Sequence, residues 1–222
     1  MGLRQYPVWD LEAKAEEIYR LDPEVFSDPP PVNIEYFIES RYELLVGGLP
    51  FSKYGLLGMV AIGDDGTDIA IVVKEGLLRS EKLPIYNFTL AEELAHIHLH
   101  LELLRGTKHG GVDGRSLRSF AERLRQPRED GGFDPVERNA RRLAEYLLMP
   151  KPMVLNAIRR AAVLLSPPAW RATNATILDH MIPGIAQEFE VNPNVLKYRL
   201  EHIPEVEQLL TELRKEGLAN VR

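Results

Sequence analysis

Apolar residues recur at spacings of three and four through the first forty residues and most of the second half of the chain, and as short continuous runs between them. This contrast predicts a mixed α+β fold. From Asp10, which can cap a first turn, Leu11, Ala15, Ile18 and Tyr19 share one helical face, and Leu21-Asp-Pro23 ends that helix. The stretch Ser27-Asp-Pro-Pro-Pro31 reads as a stiff extended joint. After it, Asn33 can cap a second helix with an apolar stripe at Ile34, Phe37 and Ile38. Three runs of strand character follow, Tyr42 to Val46, Leu56 to Ile62 and Ile69 to Val73. Gly47-Gly-Leu-Pro50 separates the first two, and Gly63-Asp-Asp-Gly-Thr67 reads as the turn of a hairpin joining the last two. The expectation is a small antiparallel sheet.

A helix should then begin at Thr89, after a short helical piece around Leu77 and a break at Pro84, and run to about Leu104 before Gly106 stops it. Leu90, Leu94, Ile97, Leu101 and Leu104 define its inward face. Beyond a glycine-rich stretch, Ser116 to Gln126 has helical spacing, and Gln126 to Pro135 is loop-like. Val136, Ala140, Leu143, Ala144 and Leu147 mark a further helix ending near Met149, before Pro150 and Pro152. Met153 to Leu165 is another helical segment. Ile185 to Phe189, Val191 at a turn, and Asn192-Pro193 opening a helix with Val195, Leu196 and Leu200 resemble a helix-turn-helix. A last helix runs from about Pro204 to Lys215 and stops at Gly217. The pattern divides the chain into residues 1–154 and a helical, helix-turn-helix-like segment over residues 155–222.

Composition narrows the chemistry. With 222 residues, of which 45% are hydrophobic, the chain can bury a sizeable core. A net charge of -6 gives no general attraction to nucleic acid or to an anionic membrane. Lys197 and Arg199 in the helix-turn-helix-like segment are surrounded by Glu188, Glu190, Glu201 and Glu205, so a packing role is favoured there over phosphate contact. There is no cysteine, which removes disulfides, thiolate metal sites and cysteine nucleophiles. Any metal must therefore sit on histidine and carboxylate ligands. No signal-peptide core and no membrane-length apolar run are visible, so a soluble, cytoplasmic protein is expected.

The reactive side chains concentrate in Asn87 to His100. Glu92, His96 and His100 lie four apart on one helical stripe, at the edge of the apolar face. Glu92-Glu-Leu-Ala-His96 differs in one letter from H-E-x-x-H, the helical segment in which two histidines bind zinc and the glutamate acts as general base. A competing reading takes Thr89-Leu-Ala-Glu92 as a capping box, with the Glu92 carboxylate folded back onto the Thr89 amide. His98 falls off the stripe and is expected to be exposed near Glu102. His96 and His100 could chelate an ion as a pair, but Ile97 offers no base between them.

Phe88-Thr-Leu-Ala-Glu-Glu-Leu-Ala-His-Ile-His-Leu-His100, followed by Glu137-Arg-Asn-Ala140 and Leu147-Leu-Met-Pro150, resembles the ImmA/IrrE family of zinc metallopeptidases. The resemblance implies a zincin-like domain over residues 1–154, with the motif on a central helix. It further implies Glu93 as catalytic base and His96 and Glu137 as metal ligands, with Glu92 standing where the first ligand histidine belongs. His100 would sit behind the ligands, and Arg141 departs from the polar residue expected to help orient one. The implied cofactor is zinc, bound weakly or lost if Glu92 does not coordinate. The implied activity is hydrolysis of a peptide bond in a protein partner such as a transcriptional repressor. Two alternatives stand beside it: a catalytically silent protein-binding relative, and a DNA-binding regulator, with nucleic acid the less favoured partner.

Overall fold

The computed structural model describes residues 6–46, 57–62, 69–106 and 135–219. The helix expected over Ser116 to Gln126 and the turns at 47–50 and 63–67 lie outside them. Among the described residues the fold is mixed α+β and mostly helical, with eight α-helices and one three-stranded sheet. The helices are α1 (Val8–Tyr19), α2 (Ile34–Glu39), α3 (Leu83–Gly106), α4 (Pro135–Leu148), α5 (Lys151–Val163), α6 (Asn174–Glu188), α7 (Pro193–Glu201) and α8 (Glu205–Ala219). The strands are β1 (Glu43–Val46), β2 (Gly58–Ile62) and β3 (Ile69–Val73).

The sheet corrects the expectation of an antiparallel arrangement. β2 and β3 do pair antiparallel, Gly58 opposite Val73 and Ile62 opposite Ile69. β1, however, runs parallel to β3 on its other side, Glu43 opposite Ala70, which makes the order β1-β3-β2 and the sheet mixed. β2 and β3 are each buried at four of their five positions, the pattern of strands covered on both faces. β1 carries exposed Glu43 and Leu45 and suits an edge.

The second correction concerns α3. It begins at Leu83, six residues before Thr89. Pro84, read as a break, lies in the first turn, where its missing N–H has no intrahelical acceptor to satisfy and its fixed φ is already helical. α3 occupies the centre of the fold, packed against β2 and β3 on one side, α4 on another, and α2. Leu90, Ala91, Leu94 and Ala95 are all fully buried in it. One buried apolar cluster continues from Leu11 and Ile18 of α1 through α3 and α4 to Ile177, Leu196 and Leu210 of the C-terminal helices.

The start of α7 at Asn192-Pro193 follows the predicted turn chemistry, and α6, read only from Ile185 on, begins eleven residues earlier at Asn174. The Thr173 hydroxyl accepts from the Thr176 amide to cap α6, and the Asn192 side chain accepts from the Asn194 amide beside Pro193 at the start of α7. Between them Glu190 takes a left-handed φ of 53°, and its carboxylate accepts from the Asn87 side chain on α3 at 3.3 Å. Arg199 of α7 is 1% exposed, with its guanidinium 4.1 Å from the centre of the Tyr146 ring. Its Nε donates to the Met149 carbonyl at 3.0 Å. Packing, not solvent, therefore holds this arginine.

Candidate metal centre

Two neighbouring helices build the site. On α3, Glu92 and His96 are one turn apart and project together, as residues at i and i+4 must. Glu137 arrives from the first turn of α4, the helix packed alongside. One ligand atom from each of the three lies within 4.8 Å of the other two, and the side chains are 7%, 6% and 2% exposed respectively. The His96 Nε2 to Glu137 Oε1 distance is 3.6 Å. Bonds of about 2.0–2.2 Å to a tetrahedral ion separate its ligand atoms by roughly 3.3–3.6 Å, so small side-chain rotations would close the group around one. Two carboxylates and an imidazole, gathered out of water without cysteine, fit a divalent cation.

The capping-box reading of Glu92 does not survive. Thr89 lies inside α3, is 3% exposed, and donates its hydroxyl to the Ile85 carbonyl one turn back at 2.8 Å. No helix start exists at Thr89 for Glu92 to cap. The Glu92 carboxylate turns instead toward His96 and Glu137, and its Oε1 accepts from Arg141 Nε of α4 at 3.3 Å. Arg141 follows Glu137 by one turn, so the same helix face that brings Glu137 to the site brings a guanidinium to Glu92.

His100 supports His96 from the next turn of α3. Their Nδ1 atoms are 3.2 Å apart, and both rings are buried. If His96 offers an unprotonated Nε2 to a cation, its proton resides on Nδ1, and this N–H donates to an unprotonated His100 Nδ1. The contact is compatible with the His96 tautomer that metal binding needs. It also occupies the Nδ1 atoms of both rings, which argues against the pair of histidines as a chelate through those atoms.

Glu93 is 2% exposed and lies under the start of β2. A Cβ built on Gly58 would come within 3.0 Å of Glu93 Cγ and 3.2 Å of its Oε1, and within 2.6 Å of the Thr89 methyl. Gly58 therefore lets the strand backbone lie directly over this carboxylate. In the sequence Gly58 is only a glycine inside the run Leu56 to Ile62, which points to close backbone approach without saying to what.

His98 is placed differently from expectation. It is half-buried near Lys14 and Glu17 of α1, and its buried Nε2 has no hydrogen-bond partner among the described residues. Burial pushes its pKa down to about 4, with the Lys14 charge adding to the shift. Lys197, the other basic residue singled out in the C-terminal segment, is ion-paired with Asp179 at 3.2 Å.

Comparison of the chain with protein-family models, with curated proteins and with solved structures yields no match. Among the described residues, no helix is long and apolar enough to cross a membrane.

Proposed function

We propose that the chain is a metal-dependent peptide hydrolase of the ImmA/IrrE type, acting on a protein partner such as a transcriptional repressor. The observation that carries this reading is the buried convergence of Glu92, His96 and Glu137, with Glu93 adjacent on the same helix. A divalent ion held by the three would supply Lewis acidity toward the scissile carbonyl and the attacking water. Glu93 would take a proton from that water and deliver it to the departing amine. Gly58 leaves room for this carboxylate beneath β2. His100 Nδ1 would accept from His96 Nδ1 when His96 ligates through Nε2.

Glu92 in place of a histidine sets the expected strength of the activity. Two anionic ligands cancel the charge of a divalent ion, so its polarising power falls below that of a two-histidine, one-glutamate site. An oxygen-rich donor set also shifts preference from Zn²⁺ toward Mn²⁺ or Mg²⁺. Glu92→His is expected to tighten zinc binding and raise hydrolysis of a mixed peptide library.

Metal analysis of the purified protein tests the reading. Stoichiometric metal should be present and be lost in His96→Ala and Glu137→Ala. Glu93→Gln should retain it while peptide hydrolysis falls by about 10²–10⁴-fold. Hydrolysis that survives Glu93→Gln would overturn the mechanism. The contact of Arg141 with Glu92 favours one second reading, a silent relative that binds a partner through the same cleft. Metal uptake only after Glu92→His would select it.

A further inference from the structure

Glu92 has a cation beside it already. Arg141 Nε lies 3.3 Å from its Oε1, and the Arg141 side chain is 42% exposed while that of Glu92 is 9% exposed. A guanidinium on the rim thus reaches inward to a buried carboxylate that also belongs to the candidate ligand group. Without an ion, Glu92 and Glu137 place two carboxylates in a nearly dry space, which is costly unless a positive charge is near. With an ion bound, Arg141 and the metal would share one carboxylate, well inside the Debye length of about 8 Å at physiological salt, and repel each other.

We propose that Arg141 is a built-in counter-cation of the metal site: it neutralises Glu92 in the metal-free protein, and divalent-ion binding is an exchange against it. The inference rests on the metal-site reading above and adds how that site is regulated. Arg141 is a positioning residue by this account, held by the helical spacing that also places Glu137. Its exposure is what makes exchange feasible, because the guanidinium can swing into water while the incoming ion takes over the charge of Glu92. At 3.3 Å the Nε contact with Glu92 is long for a charge-assisted hydrogen bond, which favours exchange against an incoming ion.

Titration calorimetry of the metal-free protein with Zn²⁺ alone, at fixed pH and ionic strength, tests this. Arg141→Gln and Arg141→Ala should each bind the ion about tenfold more tightly, a coupling of ordinary size. Arg141→Lys keeps the charge and should stay near the unmodified affinity. Without metal, Arg141→Gln should melt at a lower temperature than the unmodified protein and gain more from added Zn²⁺. His96→Ala should abolish binding in every background. Equal or weaker binding by Arg141→Gln, with His96 still required, overturns the exchange and leaves the metal site standing. Tightening by Arg141→Lys equal to that of Arg141→Gln overturns it too, since charge would not be the cause. No His96-dependent binding in any variant overturns the metal site and this inference together.

Discussion

Glu92 shows how much depends on where a helix begins. Threonine followed three residues later by glutamate is a good start signal only if the preceding residues are not helical. Here Leu83 to Phe88 are helical, so the Thr89 hydroxyl bonds back to Ile85 and the carboxylate is left for α4. Burial acts on two other titratable residues with opposite signs. Glu145 is 9% exposed, and desolvation pushes its carboxyl up to about 7, against the pull of nearby Arg199 and Arg142. Between the ordinary value of 4.5 and about 7, the unfolded chain releases this proton while the folded chain keeps it, so the residue lowers stability as pH rises through that window. His98 does the reverse. Between about 4 and 6.5 the unfolded chain binds a proton that the folded chain refuses, so stability falls as pH drops. Urea midpoints measured across pH 4 to 8 should show Glu145→Gln removing the loss on the alkaline side. His98→Gln should remove the loss on the acid side.

Among the elements, α8 and β2 each contain a glycine whose value lies in the missing Cβ. The pattern predicts that Gly217 stops the last helix, yet α8 continues through it to Ala219. A Cβ at Gly217 would lie 2.3–2.6 Å from three atoms of the Trp170 indole, so the glycine is where the ring packs onto the helix. Ordinary helix propensity favours Gly→Ala by about 1 kcal/mol. Overpacking typically costs about 1–3 kcal/mol and should outweigh it, so Gly217→Ala is expected to lower the denaturant midpoint. Gly58→Ala should do likewise by pressing on Thr89, and it should also weaken hydrolysis by displacing Glu93. A stabilised Gly217→Ala protein would show that Trp170 repacks freely.

Taken together, the elements share one buried cluster, which reaches from α1 across α3 and α4 into α6, α7 and α8. Polar contacts reinforce it. The Tyr19 hydroxyl donates to the Tyr146 carbonyl at 2.6 Å, Arg199 clamps Met149 at the end of α4, and Asn87 meets Glu190. With such continuity, helix loss followed by circular dichroism and the fluorescence of the two tryptophans should change at a common temperature. Arg199→Ala should lower both midpoints together, because it removes a buried side chain bridging α7 to α4. Two separated transitions would mean that the C-terminal helices unfold on their own.

Local spacing made much of this molecule legible from the residues alone. Periodicities of 3.6 and short apolar runs located most helices and all three strands, while Asn33 and Asn192 cap helices as their side-chain oxygens allow. The i, i+4 relation placed Glu92 with His96, and Glu137 with Arg141, before any fold was known. What spacing could not specify depends on partners distant in the chain. The central place of β3 comes from its pairing with both β1 and β2, the early start of α3 from packing against the sheet and α4, and the burial of His98 from its position near α1. The choice for Glu92 between capping its own helix and facing His96, Glu137 and Arg141 was of this kind. A cap is worth about 1 kcal/mol, and packing a whole helix into the core outweighs it by far.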